Sequence, residues 1–123
     1  MEVYKKGKEG EKMKPMTEND FKKYILDCFS VNKILAWRNN TGAFAGSYKG
    51  KQRFFRYGVK GSGDIFALHK GQFYSIEVKR KGNKPSHDQY EWLGKINENG
   101  GYAFWIDDIG DFNEWFDMNF KSN

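Results

Sequence analysis

The chain has 123 residues, enough for one core but not two, and its 21 Lys and Arg against 16 Asp and Glu give a formal charge of +5. That excess suits a polyanionic partner as well as simple solubility. A single cysteine, Cys28, excludes an intramolecular disulfide, and no apolar run approaches the roughly 20 residues of a membrane span, so a cytoplasmic protein with no membrane association and no organic cofactor is expected.

Residues 1–16, MEVYKKGKEGEKMKPM, are polar, mixed in charge and aperiodic, and read as a flexible basic arm ahead of one domain over 17–123. TENDFKKYILDCFSV opens on Thr17, a plausible N-cap followed by acids, and repeats Phe21, Ile25, Cys28 and Phe29 at helical spacing, which predicts a helix over 17–31. KILAW, 33–37, reads as a strand. Residues 38–63 interleave Arg38, Lys49, Lys51, Arg53, Arg56 and Lys60 with Phe44, Tyr48, Phe54, Phe55 and Tyr57, around a hairpin centred on 48–51. Aromatics among cations suit a nucleic-acid groove, through phosphate contacts and stacking. A twisted hairpin with a solvated basic face fits the same residues.

DIFAL, 64–68, and QFYSIEVK, 72–79, read as antiparallel strands joined by HKG. His69 falls in that connection and reads as a surface residue. A helix follows from Ser86, its N-cap, to about Asn99, with Tyr90, Trp92, Leu93 and Ile96 as its apolar positions. His87 reads as a solvated first-turn residue. YAFWI, 102–106, is a last strand and DFNEWFDMNF a final short helix, whose aromatics suit either an interface or packing on its own sheet.

Alternation along the strand puts Glu77 and Lys79 on one face with Phe73 and Ser75, and Tyr74, Ile76 and Val78 on the other. Because the connection is short, Asp64 begins its strand beside the end of the next, so Asp64, Glu77 and Lys79 can converge at one end of the sheet. Converging carboxylates repel unless a cation lies between them, and hard oxygen ligands suit Mg²⁺. A lysine beside such a pair can orient or deprotonate water, or offset charge on a phosphate. Taken singly, each residue is also an ordinary charged strand end. On the first helix, Glu18 precedes Phe21, Lys22 and Ile25 by three, four and seven residues, so it lies at the edge of the inward face, whereas Asp20 aligns with Lys23, Tyr24 and Asp27. Gln89 bears the same relation to Trp92, Leu93 and Ile96.

Asp, a spacer, then Glu-Val-Lys on the following strand resembles the PD-(D/E)XK nuclease superfamily, whose core runs αβββαβ. More narrowly, TENDF, WRNNTGAF, GSGDIFAL, IEVKR and SHDQYEWLGKINENGGYAFWI are similar in order and spacing to the VRR-NUC domain, over about 17–110. Gly63 stands where the superfamily's name has proline. The resemblance implies an α/β, restriction-endonuclease-like αβββαβ core, a mixed sheet flanked by helices. It implies Mg²⁺ or Mn²⁺ held by Asp64 and Glu77 with the Val78 carbonyl, and Lys79 acting on water or phosphate. Glu18 would be the helix-one acid and Gln89 an orienting partner. Arg38, Lys84 and Ser86 become further candidates for nucleic-acid contact, beside Lys49, Lys51, Arg53 and Arg56 of the basic stretch.

Stand-alone members of this family resemble Holliday-junction resolvases, tend to be homodimers and are often phage-encoded, which would put this chain in a host cytoplasm. The function expected is metal-dependent endonucleolytic hydrolysis of DNA at branched structures. A non-specific or nicking DNase, an RNase on the same chemistry, and a DNA-binding module without catalysis are the alternatives, with a protein–protein adaptor the weakest of them.

Overall fold

The structure, a computed structural model, describes residues 16–121; the arm expected over the N-terminal residues lies, but for Met16, outside them. Helix α1, Glu18–Val31, starts where Thr17 and Asp20 cap each other: the Thr17 hydroxyl accepts the Asp20 N–H at 3.0 Å and the Asp20 carboxylate accepts the Thr17 N–H at 3.4 Å. Its inward stripe is Phe21, Tyr24, Ile25 and Phe29. Strand β1, Leu35–Arg38, begins two residues later than expected. Lys33 takes a left-handed φ of 59° as the chain leaves the helix, so an extended run cannot include it.

Strands β2, Gly42–Tyr48, and β3, Lys51–Tyr57, form an antiparallel ribbon that is not hydrogen-bonded to the main sheet. Lys49 and Gly50, both at positive φ, make its turn. Strands β4, Ile65–His69, and β5, Gln72–Val78, are joined by Lys70 and Gly71 alone, again both at positive φ. His69 is therefore the last strand residue, paired with Gln72, and its half-buried ring lies edge-on to Phe120 rather than in a surface turn. Helix α2, His87–Glu98, strand β6, Tyr102–Ile106, and helix α3, Ile109–Phe120, complete the chain. Asp108 caps α3 through the Asp111 N–H, which starts that helix two residues before the apolar pattern does.

The main sheet has the order β1-β4-β5-β6, antiparallel except for the β5–β6 pair, which is parallel because α2 carries the chain back across. Ile65, Ala67, Ile76 and Val78 meet Phe21, Ile25 and Phe29 of α1 and Phe112 and Phe116 of α3 in one core. The aromatics of the last helix are thus spent inside the domain. Burying each such Phe or Ile contributes about 1.5–3 kcal/mol. The opposite face belongs to α2: Trp92 stacks on Phe66 and donates its indole N–H to Ser75 Oγ at 2.9 Å. No helix among the described residues is long and apolar enough to cross a membrane.

Candidate active site

The register that pairs Ile65 with Ile76 carries on to set Asp64 opposite Glu77 at one end of the sheet. Asp64 is held by backbone on both sides: its N–H donates to Ile76 O at 2.9 Å and its carbonyl accepts the Asn39 N–H at 2.8 Å. Its Oδ2 accepts the Val78 N–H at 2.8 Å. Lys22 of α1 reaches its other oxygen at 3.3 Å. Just before it, Gly63 lies so close to β5 that a Cβ there would come within 2.3 Å of Ser75 Oγ. Glycine at position 63 is therefore matched to a serine on the neighbouring strand.

Glu77 is only 2% exposed. Its Oε1 accepts Gln89 Nε2 at 2.7 Å and lies 3.5 Å from Lys79 Nζ. Its Oε2 is buried and has no hydrogen-bond partner among the described residues. Burial, and then the charge of Asp64, push the Glu77 carboxyl up to about 8, against the opposing pull of Lys79. A buried carboxyl with one oxygen unanswered, next to a second carboxylate, is costly unless a proton or a cation joins it.

The Gln89 side chain is oriented from within its own helix. Ser86 and Gln89 form a second capping box, in which the amide oxygen of Gln89 accepts the Ser86 N–H at 2.8 Å and the Ser86 hydroxyl accepts the Gln89 N–H at 3.3 Å. That leaves the amide nitrogen facing Glu77. Ser86 spends its hydroxyl on the cap, and Lys84 is exposed ahead of it.

Asp64, Glu77, Lys79 and Gln89 are brought together as the spacing predicted. Glu18 is not part of that cluster; among the described residues no group of three or more His, Cys, Asp or Glu is placed to hold a metal ion. Glu18 instead lines, together with Lys79, Arg80, Lys81 and Asp108, a cleft of about 210 Å³. Lys79 thus touches both Glu77 and the cleft. Asp20 is consumed by its cap. Arg38 is committed to α1, donating to Asn19 Oδ1 at 2.8 Å. The contact of Val78 with Asp64 is made by its amide N–H. Lys49, Lys51, Arg53 and Arg56 lie on the ribbon, away from the carboxylates in the chain. His87 is exposed, 3.9 Å from Glu91.

Two residues of this end of the sheet were not singled out from sequence. Lys22 sits four residues after Glu18, and the same count that put Glu18 at the edge of the inward face applies to it. Asn39 offers no such signal: its side chain donates to Ser62 Oγ and Gly63 O at 2.7 and 2.9 Å, across more than twenty residues. No protein-family model matches the sequence, and comparison with characterised proteins returns no match.

Proposed function

We propose that the chain is a divalent-metal-dependent endonuclease of the VRR-NUC type, with a restriction-endonuclease-like core, that hydrolyses DNA phosphodiester bonds at branched structures. The observation that carries this reading is Glu77: buried, facing Asp64, with Oε1 held by Gln89 and Lys79 and Oε2 unpartnered. The order α1, β1, β4, β5, α2, β6, with the ribbon as an insertion, agrees with an αβββαβ core.

The donor set fits Mg²⁺ or Mn²⁺. Both cations prefer carboxylate and carbonyl oxygen, and the unanswered Glu77 Oε2 is the atom that such a ligand role would satisfy. Asp64 and Glu77 would hold the ion, with the Val78 carbonyl. Bound there, a divalent cation supplies Lewis-acid polarisation of a phosphoryl oxygen and offsets the charge that develops on it.

The chain's own groups have separable tasks. The backbone bonds of Asp64 fix its carboxylate at the sheet end before substrate arrives. Gln89 holds Glu77 in one rotamer. Lys79, at the cleft and beside Glu77, orients the attacking water or offsets charge on the phosphate that the water attacks in line. Glu18, which lines the same cleft, would accept a hydrogen bond from a water bound there.

Cleavage of a labelled four-way junction against a linear duplex of matched sequence, with Mg²⁺ and with chelator, tests the reading, with Lys79→Ala as control. Metal-dependent cutting of the junction that Lys79→Ala abolishes is the expected result. Equal cutting of both substrates would retain the nuclease and remove the branch preference. Binding of the junction without cutting would leave a DNA-binding module.

A further inference from the structure

The β2–β3 ribbon is the most unbalanced part of the molecule in charge. From Arg38 to Gly63 there are six cations and no acid, which leaves 15 Lys and Arg against all 16 Asp and Glu in the rest of the chain. The positive excess of the protein therefore resides on this insertion. Lys51, Arg53 and Arg56 have no acidic partner among the described residues.

One face of the ribbon is built around a single ring. Gln52, Phe54 and Arg56 share it, and their cross-strand neighbours are Ser47, Ala45 and Ala43. Small residues opposite make a low floor, and Phe54 stands on it 84% exposed, with no ring contact among the described residues. An aromatic side chain normally packs against something. This one is left almost wholly exposed, with no ring partner among the described residues, and has an arginine two residues further along the same face.

The ribbon is also rooted at the candidate site. It leaves the sheet after Asn39, whose N–H donates to the carbonyl of Asp64, and it returns through Ser62 and Gly63, both bonded by the Asn39 side chain. Lys60 pairs with Asp88 of α2 at 3.2 Å and ties the returning strand to the body. Phe54 lies three residues from the end of β3, about 10 Å of strand.

We propose that the ribbon is a DNA-binding arm that lies along a B-form groove, with Lys51, Arg53 and Arg56 on backbone phosphates and Phe54 as a wedge that inserts at a base step and unstacks it. Two-stranded ribbons enter either groove of B-form DNA, whereas the major groove of A-form RNA is too narrow and deep for side chains to read. Apolar wedges between base steps unstack and kink a duplex, and the deformation is cheapest where stacking is already interrupted, as at a branch point. This deepens the nuclease reading and rests on it for the choice of substrate, but contact and wedge can be measured without cleavage.

The test uses the full chain in chelator with duplex and four-way junction DNA carrying 2-aminopurine at successive positions. Wild type should raise the fluorescence at one step, the signature of unstacking. Phe54→Ala should abolish that rise and weaken binding about 5- to 100-fold, as expected for one lost stacking contact, while Phe54→Trp should retain both. Arg53→Ala and Arg56→Ala should each lower the slope of log K against log salt by about 1. Circular dichroism checks that the variants stay folded. Unchanged affinity and unchanged fluorescence in Phe54→Ala would overturn the proposal. So would a switch from dimer to monomer in that variant with DNA binding intact, which would make Phe54 a contact with a second copy. Unstacking by a wild-type protein that never cuts, even with Mg²⁺, would leave the arm standing and remove the nuclease.

Discussion

Gln89 Nε2 donates to Glu77 Oε1 at 2.7 Å while Gln89 Oε1 accepts the Ser86 N–H at 2.8 Å, so one amide is both helix cap and site component. The cap determines which end of the amide faces the carboxylate. Gln89→Glu keeps an acceptor for the Ser86 N–H but places a second carboxylate against Glu77; Gln89→Leu removes both bonds. Each is expected to lower kcat at least tenfold with KM for DNA little changed, since the contact positions a group rather than binding substrate. The thermal midpoint should drop further for Gln89→Leu, which also loses the bond from the Ser86 N–H, one half of the capping box.

Glu77 makes the metal-free protein sensitive to pH. With its carboxyl raised from 4.5 to about 8, the folded form keeps a proton that the unfolded chain has lost across that window, so stability declines as pH rises from about 4.5 through about 8. Glu77→Gln should remove this slope and stabilise the metal-free protein above pH 8 by roughly a few kcal/mol, while abolishing Mg²⁺ binding and cleavage. In wild type, Mg²⁺ should bind more tightly as pH rises through the same range and should release a proton on binding. Denaturation against pH and calorimetry in buffers of different ionisation enthalpy check both expectations.

Lys22 Nζ lies 3.3 Å from Asp64 Oδ1, and both side chains are largely buried. An ammonium there offsets the charge that a cation would use. Lys22→Met is expected to tighten Mg²⁺ binding several-fold, read by calorimetry, because a partly buried pair at this range is worth more than a solvated one. Unchanged affinity would mean that the pair is broken before metal arrives.

Gly63 and Ser75 are expected to behave as one unit. Gly63→Ala puts a Cβ within 2.3 Å of Ser75 Oγ, which pushes Ser75 off the Trp92 indole it accepts from, and should cost about 1–3 kcal/mol. Adding Ser75→Ala removes the clash but also that hydrogen bond. A double-mutant cycle in denaturant should therefore give a favourable coupling of at least about 0.5 kcal/mol.

In the core, Phe29 is fully buried and meets the rings of Phe112, Phe116 and Phe120 edge-on. Phe29→Ala should destabilise the fold by about 3–5 kcal/mol, with the denaturant midpoint as the readout and the site geometry unaltered.

The elements themselves were legible in the chain because their signals are local. Thr17 and Ser86 each begin an apolar-periodic run, and Lys49-Gly50 and Lys70-Gly71 supply left-handed residues where two strands must reverse. Asp64, Glu77 and Lys79 could be brought together from the sequence because a short connection leaves little freedom in register. Helical spacing put Gln89 at the edge of its apolar stripe, and only the family resemblance gave it a role beside Glu77. Three features needed the fold. Glu18 turned out to share a cleft with Lys79 without joining the carboxylates, because helical phase gives a direction but not a reach. Lys22 and Asn39 meet Asp64 and Gly63 across more than twenty residues, and no periodicity records such a contact. The perturbation of Glu77 is likewise tertiary, since it arises from layers packed over both faces of β5. By itself, then, the sequence determined element type, turn position and strand face, which depend on neighbours a few residues away. Only the tertiary structure decided burial, the unanswered oxygen of Glu77 and the exposure of Phe54, because each depends on which atoms of distant segments do or do not arrive.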